Sequence, residues 1–409
     1  MIEYNKICSN EKERNILITL NHVILAGEVS SVEISNATGL SVATISRALY
    51  VLKNSGIIVS SRKEVTDMGR WPDIYTANAE FGYYLNFYLD SEYIKADISD
   101  FCGKKILSMD VAIDRHLTMA EFCTKLRKCA EELTAKTKIP YDKIFVAAIA
   151  IPGLVDEKNS LVKRIPNFSN FNNRNLFKEA SNSLQIPVAV YNEARLCVVG
   201  EHITDFKDST NIIYIDFTKN SGIGAGIMLN GELYMGKNGF AGEIGDMLID
   251  TGSFYGGYRE DEGCLEASAG LGVMFERLEM LMKRGRAVIL KESMILENKQ
   301  SFTLKDVENA VLMQDLDVMD VFDETMRMWA VMAANLAAFV DPDVIILGGV
   351  INAENDVVLA RINHYVSRVL NRDVDIRLSQ SYEQALYNGS IHLLKKKVLN
   401  QMVTDKIFQ

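Results

Sequence analysis

Residues 30–58 carry the densest set of local folding instructions in this chain. Ser30 with Glu33 three positions later forms a capping box, in which the Ser oxygen and the Glu carboxylate each satisfy an N–H left open in the first helical turn. A short helix is predicted from there to Gly39, since glycine takes the left-handed conformation that a tight turn requires. Ser41 caps a second helix in which Val42, Ile45, Leu49 and Leu52 recur at helical spacing and are expected to face inward. Ala43, Thr44, Arg47 and Tyr50 fall on the outer side, where small or polar residues near a helix start suit close approach to base edges in a major groove. Ala43, Thr44, Ser46 and Arg47 are therefore the expected DNA-binding residues. Gly56 closes the helix. Ile57–Ser60 with Asp73–Thr76 are predicted as a two-stranded wing carrying Arg62, Lys63 and Arg70, and a helix over Glu11–Ala26 should pack against the pair. The pattern is that of an all-α winged helix-turn-helix; a helical hairpin of this kind also serves as a plain packing unit.

At 409 residues the chain exceeds one ordinary domain. Its net charge is −10, but residues 1–70 hold eight Lys and Arg against seven Asp and Glu, so the acidity lies in the remainder. That asymmetry fits contact with DNA at one end only, and so small a basic footprint implies a homodimer or homotetramer that places two readers on one operator. Six cysteines show no paired metal spacing and the start lacks an apolar signal core, which together predict a reduced, cytoplasmic protein. The longest apolar stretches, such as Trp329–Val340, are too short and too amphipathic to span a bilayer, so no membrane role is expected.

Met68, Gly69, Arg70, Trp71, Pro72 and Asp73 break the periodicity and are expected to be the joint between a reader at 1–78 and a body at 79–409. In the body, short apolar strands alternate with helices. Strands are predicted at 83–89, 93–98, 105–111, 143–150, 188–191, 211–217, 223–229, 344–347 and 374–378, and long helices at 118–136, 319–340, 355–370 and 383–400. Three strands in a row followed by strand–helix alternation argue for a mixed sheet with helices on both faces, in two lobes.

Seven runs in the body resemble the ROK family, which groups bacterial sugar kinases with sugar-responsive repressors. They are Ala-Ile-Ala-Ile-Pro-Gly-Leu-Val-Asp (148–156), Pro-Asn-Phe (166–168), Tyr-Asn-Glu-Ala-Arg (191–195), Ser-Gly-Ile-Gly-Ala-Gly-Ile (221–227), Gly-Phe-Ala-Gly-Glu-Ile-Gly-Asp (239–246), Gly-Cys-Leu-Glu-Ala-Ser-Ala-Gly (263–270) and Asp-Pro-Asp-Val-Ile-Ile-Leu-Gly-Gly (341–349). With the N-terminal reader, the likeness spans nearly the whole chain. It implies an α/β actin-like (ribonuclease H-like), two-lobed ATPase fold for the body.

The departures from the family pattern point away from catalysis. Where the kinases carry an Asp-x-Gly-x-Thr phosphate turn, this chain reads Tyr88, Leu89, Asp90, Ser91, Glu92, which removes the Mg²⁺-holding Asp and sets carboxylates where phosphate would lie. The second glycine loop is kept in part as Asn220–Gly224 and is read as structural, since Gly-rich hairpins are common for that reason. The kinases use an Asn-Asp pair whose Asp deprotonates the sugar; here the pair is Asn192-Glu193, which displaces the carboxylate by about one bond and preserves binding better than chemistry. The alternative for Glu193 is a helix N-terminal carboxylate stabilised by the helix dipole. The family's His and three Cys zinc ligands are reduced to Cys264, with Asp246, Gly257 and Arg259 in the other places, so no metal and no cofactor are expected; an Arg259–Asp246 pair is expected instead.

What the resemblance leaves is a sugar-binding set: Gly153, Asn167, Asn192, Glu193, Glu243, Asp246 and Glu266. Carboxylates suit this task because each accepts paired hydrogen bonds from neighbouring hydroxyls; Glu243 or Glu266 taken singly is also explained as a helix-end carboxylate. The expectation is a non-enzymatic repressor of carbohydrate genes whose partners are operator DNA and a small carbohydrate. The alternative is an active ATP-dependent sugar kinase with an appended DNA reader. A third is a regulator that answers to a protein partner.

Overall fold

The computed structural model describes residues 10–61, 73–156, 159–165, 168–218, 222–249 and 264–404. The first helix, α1 (Glu11–Ala26), starts on Asn10, whose side chain accepts the Glu13 N–H. After the two-residue strand β1 (Val29–Ser30) come α2 (Ser31–Thr38) and α3 (Val42–Asn54). The capping box forms as the residue types dictate: Ser30 Oγ accepts the Glu33 N–H at 3.3 Å while the Glu33 carboxylate accepts the Ser30 N–H at 2.7 Å. Gly39 ends α2 at φ 72°, and Ser41 caps α3 through the Thr44 N–H. Ile45, Leu49 and Leu52 are buried as expected, but Val42 is 43 % exposed and Ala48 is buried in its stead. Val42 is the first residue of α3, before the packed face begins.

The sheet beside these helices has three strands instead of two. β2 (Ile58–Ser61) and β1 both pair antiparallel with β3 (Ile74–Ala77), giving the order β1-β3-β2. Ile74–Ala77 belongs to this sheet, and residues 78–82 lead from it to the next strand; most of the expected joint at 68–73 falls outside the described residues, as do Arg62, Lys63 and Arg70. The segment after β3 is tightly held. The Asn78 side chain donates to the Gly56 carbonyl, the Phe101 N–H donates to the Ala79 carbonyl, and Phe81 packs edge-on against Phe101 and Phe145.

The body holds β4 (Tyr83–Leu89), β5 (Tyr93–Asp100), β6 (Lys105–Ala112), α4 (Met119–Thr137), β7 (Ile144–Ile151), the hairpin β8 (Leu154–Asp156) and β9 (Leu161–Arg164), α5 (Leu176–Leu184) and β10 (Val188–Asn192). It continues with α6 (Glu193–Thr204), β11 (Ile212–Phe217), β12 (Ile223–Leu229), β13 (Glu232–Leu233), α7 (Cys264–Ala269), α8 (Leu271–Lys283), α9 (Val288–Leu296), α10 (Leu304–Leu312), α11 (Leu316–Val340), β14 (Val344–Gly349), α12 (Asp356–Val369), β15 (Ile376–Leu378) and α13 (Tyr382–Thr404). All nine predicted strands are present, with ends moved by one or two residues. With the short strand β13 they form two mixed sheets with the same topology, β6-β5-β4-β7-β10 and β13-β12-β11-β14-β15. In each, the first strand pairs antiparallel with the second and parallel with the fourth.

The chain divides into two compact units, residues 1–191 with 390–409, and residues 192–389. In the first, Leu85, Phe87 and Leu89 of β4 pack with Phe122, Leu126 and Leu133 of α4 and with α5. The other face of β4 carries Asn86, whose Oδ1 accepts the Ser390 hydroxyl of α13 at 2.6 Å. In the second, Ile213, Ile215 and Phe217 of β11 face a large apolar core built by α7–α12, centred on Trp329, whose ring lies 4.2 Å from that of Phe217. Alternation then turns Tyr214 and Asp216 to the opposite face, where α6 packs.

Candidate functional site

Within the second unit, four separate stretches converge on one strand, β12. The amino end of α6 comes closest: a Cβ at Gly226 would lie 2.1 Å from the Ala194 carbonyl, so only glycine lets the helix rest on the sheet there. Asn192 caps that helix by accepting the Arg195 N–H at 3.2 Å, and Glu193, its first residue, is buried. The next stretch is the turn that bears Glu243 and Asp246. The Ala225 N–H donates to the Gly242 carbonyl at 2.8 Å, and Gly242, at φ 96°, presses its α-carbon against the Ala225 carbonyl.

The third stretch is α7. Glu266 accepts the Ile223 N–H at 2.9 Å, and a Cβ on Gly245 would sit 2.5 Å from the same carboxylate oxygen, so Glu266 lies between the start of β12 and the Glu243–Asp246 turn. α7 is itself fixed from behind, because the Trp329 indole N–H donates to the Ala269 carbonyl at 2.8 Å. The fourth stretch is β11, which pairs Asp216 with Gly224 of β12. Asp216 is 4 % exposed; burial pushes its carboxyl up to about 7, and its Oδ1 has no hydrogen-bond partner. It shares this inner face with Cys197, whose thiol is pushed well above its ordinary value by burial and then by Asp216 and Glu193. Tyr382 is half-buried; burial raises its hydroxyl strongly, followed by the Glu193 and Asp216 charges.

Of the expected sugar set, then, Asn192, Glu193, Glu243, Asp246 and Glu266 gather around one strand, with Asp246 the exposed member. Gly153 belongs to the first unit, and the close approach it permits there is to the chain's own backbone, since a Cβ would meet the Arg164 carbonyl at 2.3 Å. Asn167 and Arg259 lie outside the described residues. Among the described residues no three His, Cys, Asp or Glu side chains gather as metal ligands would.

Asp216, Arg195 and Tyr382 were not singled out from sequence. The first had a signal, an acid inside the otherwise apolar run Ile212–Phe217; Tyr382 had none. In the first unit, the turn at Tyr88–Glu92 is closed on itself: Asp90 accepts the Ser91 hydroxyl and the Glu92 N–H, and its own N–H donates to the Tyr93 carbonyl. On α3, Ala43, Ser46, Arg47 and Tyr50 are exposed, while Thr44 is half-buried with its hydroxyl 2.9 Å from that of Ser41.

A head of three helices and a small sheet followed by two α/β sheets of like topology defines a class of two-part α/β proteins. The pattern of the ROK family covers residues 109–397, and the chain belongs to that family. It is similar to the xylose repressor of Bacillus subtilis, 25 % identical over 91 % of this chain and 90 % of that one. A solved ROK family transcriptional regulator, a homologue of the Escherichia coli Mlc protein, shares the fold with a TM-score of 0.79 at 22 % identity, over 97 % of this chain and 99 % of the other. A ROK family glucokinase from Streptomyces griseus, solved with glucose and AMPPNP, matches 76 % of this chain and 98 % of its own at TM-score 0.58 and 20 % identity.

Proposed function

We propose that this chain is a sugar-responsive transcriptional repressor. The observation that carries the reading is the gathering of Asn192, Glu193, Glu243 and Glu266 on β12, a set of hydroxyl-binding groups held by glycine contacts too close to admit side chains. The output is a winged helix-turn-helix at residues 1–78, in which the outer face of α3, with exposed Ala43, Ser46 and Arg47 and half-buried Thr44, meets the operator. Residues 79–409 form an actin-like, ribonuclease H-like body that binds the effector. Gly153 and Asn167 join the sugar set on the resemblance alone. The repressor works in the cytoplasm as a homodimer or homotetramer, and sugar lowers operator affinity by binding one of two states better than the other.

The body does not act as a kinase in this reading. The turn where a phosphate would sit is filled by the Asp90 carboxylate, which takes up the Glu92 N–H that a phosphate oxygen would need. Because relatives are named xylose repressors, D-xylose is the first effector to try. DNA selected from a random pool by the full-length protein supplies the operator, and fluorescence anisotropy with and without D-xylose and a hexose panel reads the response. A protein that selects no sequence, or whose operator affinity no sugar changes, is not a sugar-responsive repressor. Sugar-dependent release of ADP from ATP and Mg²⁺ would establish the kinase reading in its place.

A further inference from the structure

We propose that Arg195 is a positioning residue that pins the turn carrying Glu243 and Asp246 to the amino end of α6, setting the sugar carboxylates before ligand arrives; this rests on the sugar-binding reading above. Arg195 is 2 % exposed and stands two residues after Glu193. Its backbone N–H is held by the Asn192 cap, and its guanidinium donates to the Gly239 carbonyl. One residue thereby joins the helix that begins with Asn192 and Glu193 to the far end of the turn that presents Glu243.

The turn needs such an anchor. Gly236, Gly239 and Gly242 all have positive φ, at 70°, 78° and 96°, so the segment is bent at three glycines, each of which loses more backbone freedom on ordering than any other residue. Its near end is held by the Ala225 N–H on the Gly242 carbonyl, and Glu243 follows directly. At Gly239, three residues earlier, the Arg195 guanidinium supplies a second hold. A buried guanidinium suits this because its planar fork offers five donors in fixed directions, whereas a lysine ammonium offers a point charge on a flexible stem. The family's runs made Glu243 and Glu266 legible, but nothing in them sets the distance between the α6 start and the turn. Arg195 does so.

The test uses the full chain with Arg195→Met, which keeps the stem and removes the donors, and Arg195→Lys, the milder change should Arg195→Met fold poorly. Hydrogen exchange is followed at residues 236–246, with β14 as internal reference for global opening, and D-xylose binding is measured by calorimetry. Expected for Arg195→Met are about tenfold faster exchange in the turn with β14 unchanged, and D-xylose affinity weakened by about tenfold or more, with Lys restoring less than half of either effect. Unchanged exchange in the turn overturns the proposal whatever sugar does, and so does faster exchange with unaltered D-xylose affinity. Full rescue by Lys would also overturn it, since charge alone would then suffice. If the wild-type chain binds neither D-xylose nor any hexose while the turn still loosens in Arg195→Met, it is the sugar reading that falls, and the anchoring of the turn stands.

Discussion

Burial keeps the Asp216 carboxyl protonated up to about pH 7, and this has a stability consequence of definite sign. An unfolded Asp releases its proton near 3.8, so between that pH and about 7 the folded chain binds a proton that the unfolded chain has lost. Stability therefore falls as pH rises through this window, by up to about 1.4 kcal/mol per unit, and the loss is complete above the folded value. Asp216→Asn removes the titration: between pH 5 and pH 8 the variant should lose about 3 kcal/mol less than the wild type in thermal or urea melting, and parallel curves would show that the group is not buried as described. On α3, Arg47→Ala should weaken operator binding by about 1–3 kcal/mol in anisotropy, and an unaltered affinity would show that the outer face of α3 is not the reader. Ser41→Ala, which removes the cap on that helix, should lower stability by about 1 kcal/mol. At this scale much was legible before folding was considered. Ser30, Glu33, Gly39 and Ser41 act within four residues of themselves, so local chemistry decides them. Val42 was misplaced because it is the first residue of α3, before the packed face begins.

Among the elements, α7 and α13 carry the most consequence. α7 is a helix of six residues that holds Glu266, too short to be stable alone, and it is fixed by the Trp329 indole N–H on the Ala269 carbonyl. Trp329→Phe keeps a ring against Phe217 but leaves that carbonyl without its donor, so a loss of about 1–3 kcal/mol is expected, together with weaker D-xylose binding through a loosened Glu266. A variant that melts and binds as the wild type does would remove the link between the tryptophan and the site. At the other end, Lys395 of α13 donates to the Cys102 carbonyl at 2.6 Å, and the Cys102 thiol lies 3.5 Å from the Ala77 carbonyl of β3. The turn between β5 and β6 thus clasps the sheet of the head. Lys395→Met should speed hydrogen exchange at residues 74–82 relative to β14, and equal exchange would show that the clasp does not hold this segment. The strands were found from sequence because apolar runs bounded by turns leave few other choices. The third strand of the head, β1, was missed, since two residues make no periodic pattern.

For the molecule as a whole, two units each with its own core make ligand effects selective. D-xylose at a hundred times its dissociation constant should stabilise the unit that binds it by about 2.7 kcal/mol, seen as an upward shift of one calorimetric transition. No described helix is long and apolar enough to cross a membrane. Read alone, the residues decide the capped helices of the head, the nine body strands and the family, because caps, turns and apolar periodicity act over short spans, and the family's runs stand in fixed order. They also single out Glu193, Glu243 and Glu266 by type. Only the folded chain decides that these meet on β12, that Asp216 is buried on the neighbouring strand, and that Arg195 reaches Gly239. Those contacts join residues tens of positions apart, and what admits them is the absence of a Cβ at Gly226, Gly242 and Gly245, whose meaning appears only when another backbone or side chain fills the space.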